Sequence, residues 1–339
     1  MTLPAPLRQA LESLLDRERP PAEASRHLTQ TYQGGRRRTA KDLAAPRPQP
    51  AMQQAEQRLA YLAVRLPATF AACQSTLAEL ARRCPTLAPA SLLELGAGPG
   101  TASWAALEAF PSLRSLTLLE RDPALIALGR QLAAQAPQSL RQAEWQTAEL
   151  TRADALPADG RDIVLESYLF NELGEAAALR LLARAWPLAQ QALVLVEPGS
   201  RQGFAVLSAC RRWLLEQGAH LAAPCPHAAE CPAEAAGDWC HFAARLERSS
   251  LHRRLKGGAL GFEDETFCYL IATRAPCPRA EARILRHPQL HGGHLQLTLC
   301  TAQGIETPVI GRSAKQAYRR ARKSAWGDEW STSAAETEE

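Results

Sequence analysis

Long apolar runs are missing from this chain of 339 residues. None approaches the roughly 20 residues that a membrane-spanning helix requires, which excludes an integral membrane protein of that kind. The opening stretch has neither an apolar leader core nor the acid-poor character of a mitochondrial presequence, since it carries Glu12, Asp16, Glu18 and Glu23. The expected address is therefore the cytoplasm. No internal repeat is present, which sets aside solenoids. Strong net charge is lacking too: 39 Lys+Arg stand against 35 Asp+Glu, for +4. Any affinity for nucleic acid must come from local patches. Hydrophobic residues at 46% and charged residues at 22% exclude a wholly disordered chain. The length predicts about two domains, or one domain enlarged by insertions.

Cysteine is plentiful, with nine in all. In a reducing compartment a disulfide framework is the weaker reading. Cys73, Cys210 and Cys268 sit in apolar periodic segments and read as small core residues. Cys225, Cys231 and Cys240 differ, because a polar loop spaces them as C-x5-C-x8-C, with proline directly after the first two. Structural zinc sites usually bring in closer C-x2–4-C pairs, and none is found here. A site with four thiolates needs one more donor. Cys268, Cys277 and Cys300 are the candidates, and a zinc site has His227 or His241 open to it.

Along the chain, residues 1–85 read as helical, interrupted by a basic and proline-rich linker around Arg36, Arg37, Arg38 and Lys41. From residue 88, short apolar runs at 91–95, 115–119, 162–166 and 193–197 alternate with helical stretches at 102–109, 123–134 and 175–186. That alternation predicts βαβ units and a mostly parallel, Rossmann-like sheet. A helix at 202–217 and a late buried strand at 266–272 complete the core. The expected division is a helical region 1–85, a core of 86–217 plus 263–275, a cysteine-rich metal-binding insertion 218–262, a β extension 276–310 read as one antiparallel meander, and a basic then acidic tail 311–339.

The chemistry-bearing turn is Glu94-Leu95-Gly96-Ala97-Gly98-Pro99-Gly100, a strand running into three glycines and then a helix. Glycines let the backbone turn sharply and approach a ligand, and the N–H groups of the following helix start favour an anionic group. The next strand ends in Glu120, about twenty residues on, where a carboxylate can accept from both ribose hydroxyls. The spacing E-x-G-x-G-x-G is not the dinucleotide fingerprint. It resembles motif I of the class I S-adenosylmethionine-dependent methyltransferases, a likeness that implies Glu94 at the methionine end of the cofactor and Gly96, Gly98 and Gly100 lining it. Methyl transfer is an in-line displacement at an activated sulfonium, so proximity and orientation suffice and no triad is needed. The segment Glu166-Ser167-Tyr168-Leu169-Phe170-Asn171 resembles the loop beside the transferring methyl, but lacks the Asn/Asp-Pro-Pro-aromatic tetrad of base-amine methyltransferases.

Further segments complete a wider likeness: YLAVRLPATFAA at 61–72, VEPGSRQGF at 196–204, the stretch from Cys225 through Trp239-Cys240-His241-Phe242, and YRRARKSAWGD at 318–328. Together with the glycine loop they resemble the ribosomal small-subunit methyltransferase-like family, which has mitochondrial and bacterial branches. The resemblance implies a class I fold, S-adenosylmethionine as cofactor, and association with the small ribosomal subunit in assembly or translation. It also implies a [4Fe-4S] cluster on Cys225, Cys231, Cys240 and Cys300.

Ribosomal RNA as partner fits three basic patches: Arg36–38 with Lys41; Arg245, Arg248, Arg253, Arg254 and Lys256; and residues 312–323, which hold six Lys/Arg and no acid. Tyr318, Trp326 and Trp330 are placed to stack on bases. The expectation is a monomeric, S-adenosylmethionine-binding, iron–sulfur factor on the small subunit, with ribosomal RNA methylation as a further activity. A zinc-stabilised methyltransferase acting on a small molecule or protein is the alternative.

Overall fold

A computed structural model describes residues 1–18, 54–248 and 260–331. Three helices lead: α1 (Ala5–Glu18), α2 (Ala55–Val64) and α3 (Leu66–Arg83). Pro67, which breaks the apolar stripe in sequence, stands in the first turn of α3, where no partner for its missing N–H is needed. Alternating strands and helices follow: β1 (Ser91–Leu95), α4 (Thr101–Ala109), β2 (Ser115–Glu120), α5 (Pro123–Leu132), β3 (Glu144–Thr147), β4 (Arg161–Ser167), α6 (Glu175–Ala185), β5 (Ala189–Pro198) and α7 (Arg201–Glu216). Then come β6 (His220–Ala223), β7 (Phe242–Glu247) and β8 (Phe262–Thr273).

The main sheet has the order β3-β2-β1-β4-β5-β8-β6, with β7 also on β8. Strands β1 to β5 pair in parallel, while β8 runs antiparallel to β5, β6 and β7. This is the class I methyltransferase arrangement. The period of two explains why the strands are apolar throughout. Leu92, Ile163, Leu165, Val194 and Ile271 face one core under α1 to α5, whereas Leu93, Val164, Leu193, Leu195 and Leu270 face a second core under α6 and α7.

Beyond β8 lies a small module of β9 (Ala282–Ile284), β10 (Gln289–Leu290), β11 (His294–Gln296), β12 (Leu299–Thr301), β13 (Gly304–Glu306), β14 (Val309–Gly311), α8 (Lys315–Lys323) and β15 (Glu329–Trp330). The single meander expected here is instead two sheets, β10-β11-β14 and β13-β12-β9-β15. The runs 295–300 and 306–310 each turn a corner between the sheets, one at buried Leu297 and the other at Pro308, whose carbonyl accepts from Leu297 N at 3.1 Å.

Strand β3 has no sequence signature, because Trp145 is its one buried residue. Cys73, Cys210 and Cys268 are buried, as expected. Against the expectation of reduced thiols, Cys84 and Cys277 form a disulfide, with Cα atoms 5.6 Å apart. Among the described residues no helix is long and apolar enough to cross a membrane.

Candidate cofactor loop and cysteine cavity

The carboxyl ends of β1 and β2 build the first site. Gly96, Gly98 and Gly100 all have positive φ, at 66°, 52° and 77°. A side chain at Gly100 would place its Cβ 2.9 Å from Trp145, so both conformation and space require glycine there. Glu120 is buried at the end of β2, and its two oxygens accept from the N–H groups of Gly98 and Asp122, each at 2.8 Å. In this structure it therefore braces the glycine loop. Each oxygen keeps a second lone pair, so a hydroxyl can share it.

Glu94 is 1% exposed and accepts a hydrogen bond from the Ser103 hydroxyl on α4. Its Oε1 has no partner. Burial, with Glu120 nearby, pushes its pKa up to about 7. A buried carboxyl oxygen without a donor is the environment in which an ammonium is welcome. This free acceptor fits the ammonium of the amino-acid end of S-adenosylmethionine.

The loop after β4 is held from beneath. Glu166 Oε1 accepts from the N–H groups of Leu169 and Phe170 at 2.7 and 3.1 Å, and Glu197 Oε1 accepts from Asn171 N at 3.1 Å. Burial raises the pKa of both acids, and the charge of Glu166 raises Glu197 further. Above them Tyr168 takes φ 61°, the one non-glycine residue with positive φ among the described residues. Its hydroxyl donates to Glu265 at 3.0 Å, and Glu265 is paired with Arg65 at 2.9 Å. Strain of this kind is sustained only where the surroundings over-determine it. Leu169 packs on Gly96, where an added Cβ would lie 3.0 Å from its Cδ2. The loop thus presents an apolar residue and a tyrosine already in use.

The second site lies where the segment after β6 meets β12. Cys225, Cys231, Cys240 and Cys300 line one cavity, together with Cys268 and His227. The sequence separation of Cys240 and Cys300 gives no hint of this. Burial pushes Cys240 well above the usual thiol range, and the nearness of Cys225, Cys268, Cys231 and Cys300 adds to it. Cys300 is pushed up to about 12, by burial first and then by Cys225 and Cys231. Such thiols ionise together only with a cation among them. Among the described residues, no three His, Cys, Asp or Glu side chains stand close enough to grip one metal ion.

The other candidates separate. Cys277 is committed to Cys84. Cys268 donates from Sγ to the carbonyl of Cys240 at 3.1 Å. His227 Nε2 lies 3.7 Å from Cys300 Sγ. His241 stacks on Trp239 at 4.9 Å and meets the edge of Trp326 at 4.7 Å, so it acts as a packing residue. Two arginines that the sequence did not single out organise the cavity. Arg211 donates to the carbonyls of His227 and Ala229, at 3.1 and 2.6 Å, and shapes the loop. Arg283 donates to Pro224 O at 3.1 Å and pairs with Glu79 at 2.6 Å, joining loop, module and α3.

The basic patches also sort themselves. Arg36–38, Lys41, Arg253, Arg254 and Lys256 lie outside the described residues. Arg245 and Arg248 pair with Asp264 and Glu263. Residues 315–323 form α8. The aromatic side chains expected to stack on bases are otherwise engaged, because the helix packs Tyr318 into the module, Trp330 is buried on β15, and Trp326 packs on His241 and His287.

Comparison with known proteins gives a consistent picture. The profile of the family described as mitochondrial small ribosomal subunit Rsm22 matches residues 55–331. The chain is 27% identical over 293 residues to the ribosome assembly protein METTL17, mitochondrial, of Homo sapiens, covering 80% of this chain and 61% of that protein. It is 25% identical over 321 residues to the Rsm22-cox11 tandem protein 2, mitochondrial, of Schizosaccharomyces pombe, covering 80% and 43%. The chain thus spans only about half the length of these relatives. Among solved structures, magnesium protoporphyrin IX methyltransferase of Synechocystis with bound S-adenosylmethionine is similar at TM-score 0.39 and 12% identity, over 67% of this chain and 86% of that one. The fold assignment rests on the strand order described above.

Proposed function

The chain belongs to the mitochondrial small ribosomal subunit Rsm22 family, and from that membership we propose that it is an assembly factor of the small ribosomal subunit, binding S-adenosylmethionine and a [4Fe-4S] cluster. The observation that carries the ribosomal reading is the family match across residues 55–331. One relative is named as a ribosome assembly protein, which supports it. The relatives are named as mitochondrial, which leaves the cytoplasmic address an expectation of the sequence alone.

Glu94, Gly96, Gly98, Gly100 and Glu120 would hold S-adenosylmethionine, which when bound supplies an activated methyl for in-line displacement. The unpartnered oxygen of Glu94 supports the placement of the ammonium. Cys225, Cys231, Cys240 and Cys300 would hold the cluster, whose positive core would offset part of the charge of their thiolates and whose bonds would tie segment 218–262 to the β extension. Support comes from the cavity these four share and from the commitment of Cys277 elsewhere. Thiolate donors suit zinc as well as iron–sulfur, so the metal is a question for chemistry.

Anaerobic purification with a visible spectrum and metal analysis tests the cluster. A brown protein is expected, bleached by Cys300→Ser and unchanged in colour by Cys277→Ser. A colourless protein with one zinc would sink the assignment. Co-sedimentation with small subunits tests the ribosomal reading, and methyl transfer to isolated subunits separates an enzyme from a cofactor-binding assembly factor.

A further inference from the structure

Where this chain meets RNA depends on which of its cations are free. Many described arginines outside the C-terminal module are already paired: Arg58 with Asp122, Arg65 with Glu265, Arg83 with Glu79 and Arg212 with Glu234. Arg245 pairs with Asp264 across the β7–β8 ladder at 2.8 Å, and Arg248, just past β7, pairs with Glu263 at 3.1 Å. A guanidinium held by a carboxylate has to give up that partner before a phosphate takes its place, so a paired patch contributes little to phosphate binding.

Helix α8 is different. Its sequence KQAYRRARK contains no acid, and Tyr318 and Ala321 are buried with Leu295, Leu299 and Trp330. At about 100° per residue, Lys315, Arg319, Arg322 and Lys323 fall within one arc of roughly 100°, on the flank of the helix beside Tyr318. All four are exposed, and none has a carboxylate partner among the described residues. They run along about 12 Å of helix. Arg312, exposed in the turn before the helix, extends the stripe. Arg320 does not belong to it, because its guanidinium lies 4.1 Å from the centre of the Trp330 ring and its Nη2 is buried.

We propose that the outer face of α8, with Arg312, is the surface on which this chain holds the phosphate backbone of RNA, without reading its sequence. The proposal rests on the ribosomal reading for its partner, while the ion pairing selects the surface. Of the patches visible in the sequence, it is the described one whose charge is not cancelled within the chain. The buried rings of Tyr318 and Trp330 anchor the helix, so contact is electrostatic and salt-sensitive.

The test titrates the full chain with labelled oligouridylate across a salt series. It compares wild type, a variant combining Lys315→Ala, Arg319→Ala, Arg322→Ala and Lys323→Ala, and a control combining Arg245→Ala with Arg248→Ala. Each lost phosphate contact should reduce the slope of log affinity against log salt by roughly 0.7, about 3 for all four. The control should keep the wild-type slope. Thermal midpoints of the four-site variant should stay close to wild type, since the replaced groups are exposed and make no ion pair among the described residues. Equal slopes for wild type and the four-site variant would overturn the α8 surface and leave the ribosomal reading standing. A wild-type chain that fails to bind RNA even at low salt would overturn the RNA partner itself.

Discussion

The methyltransferase core and the C-terminal module solve the same problem by opposite means. In the core, strands of up to twelve residues are covered on both faces by helices, and apolar side chains close the structure. In the module no strand exceeds three residues, and its apolar cluster is small. It is held to the core by discrete polar and covalent links: Arg283 to Glu79, Arg82 and Arg83 to Glu329, the Trp239–His241–Trp326 ring contacts, and the Cys84–Cys277 disulfide. Burial acts over the whole core, so no one residue decides it. The module depends on a few residues, and the cysteine cavity lies along the seam.

The largest expected effect breaks that seam. Arg283→Ala leaves Glu79 with Arg82 and Arg83 but removes hydrogen bonds to Pro224 O, Gly327 O and Glu79, and at about 1.5–3 kcal/mol for each bond of a charged group the cost is several kcal/mol. The loss should be local: denaturation followed by two probes, one in each region, should become two-step, with the module released first. For contrast, Leu165→Ala in the central strand β4 costs about 2–5 kcal/mol through its cavity and should lower one shared transition. Coincident transitions in Arg283→Ala would show that the two regions are one cooperative unit.

A smaller effect belongs to the core alone. Glu120→Ala should weaken S-adenosylmethionine binding by about 1–3 kcal/mol in calorimetry, through lost hydroxyl contacts and a glycine loop deprived of its brace. The absorption of the cysteine site should not change. Equal affinity would remove Glu120 from the cofactor site.

A further effect in the core is a pH slope. Glu94 has its folded pKa raised to about 7, so the folded state binds a proton that the unfolded chain releases earlier. Its contribution to stability is full below the ordinary carboxylate value near 4.5 and is lost as pH rises to about 7. Urea denaturation should show a smaller fall between those limits in Glu94→Gln than in wild type. In wild type, cofactor binding within the same window should release a proton, detectable by calorimetry in buffers of different ionisation enthalpy.

Much of the core was legible because its signals are local. A five-residue apolar run and a glycine turn declare a buried strand entering a ligand loop whatever lies around them, and β1 with Gly96, Gly98 and Gly100 is such a case. Trp145 was not legible, since a strand with one buried residue has no period. Of the candidate cluster ligands, three stand close in sequence, but Cys300 entered through family resemblance, and Cys277 was an equal candidate by spacing. Arg211 and Arg283 carried no signal at all, because their partners are the carbonyls and acids of distant segments.

The sequence by itself determined the class of the fold and the place of the glycine turn after β1, since both follow from short-range periodicity and from glycine's backbone freedom. Only the tertiary structure decided which charges are free and which thiols meet. Arg245, Arg248 and Arg319 are the same kind of residue in similar basic runs, yet the β7–β8 register sets Asp264 opposite the first, Glu263 reaches the second just past β7, and the third is left exposed. Cys277 and Cys300 are likewise alike until chain packing brings one to Cys84 and the other to the cavity. Charge cancellation and thiol pairing depend on separations of a few ångströms between residues far apart in the chain. A linear pattern holds no information on those distances.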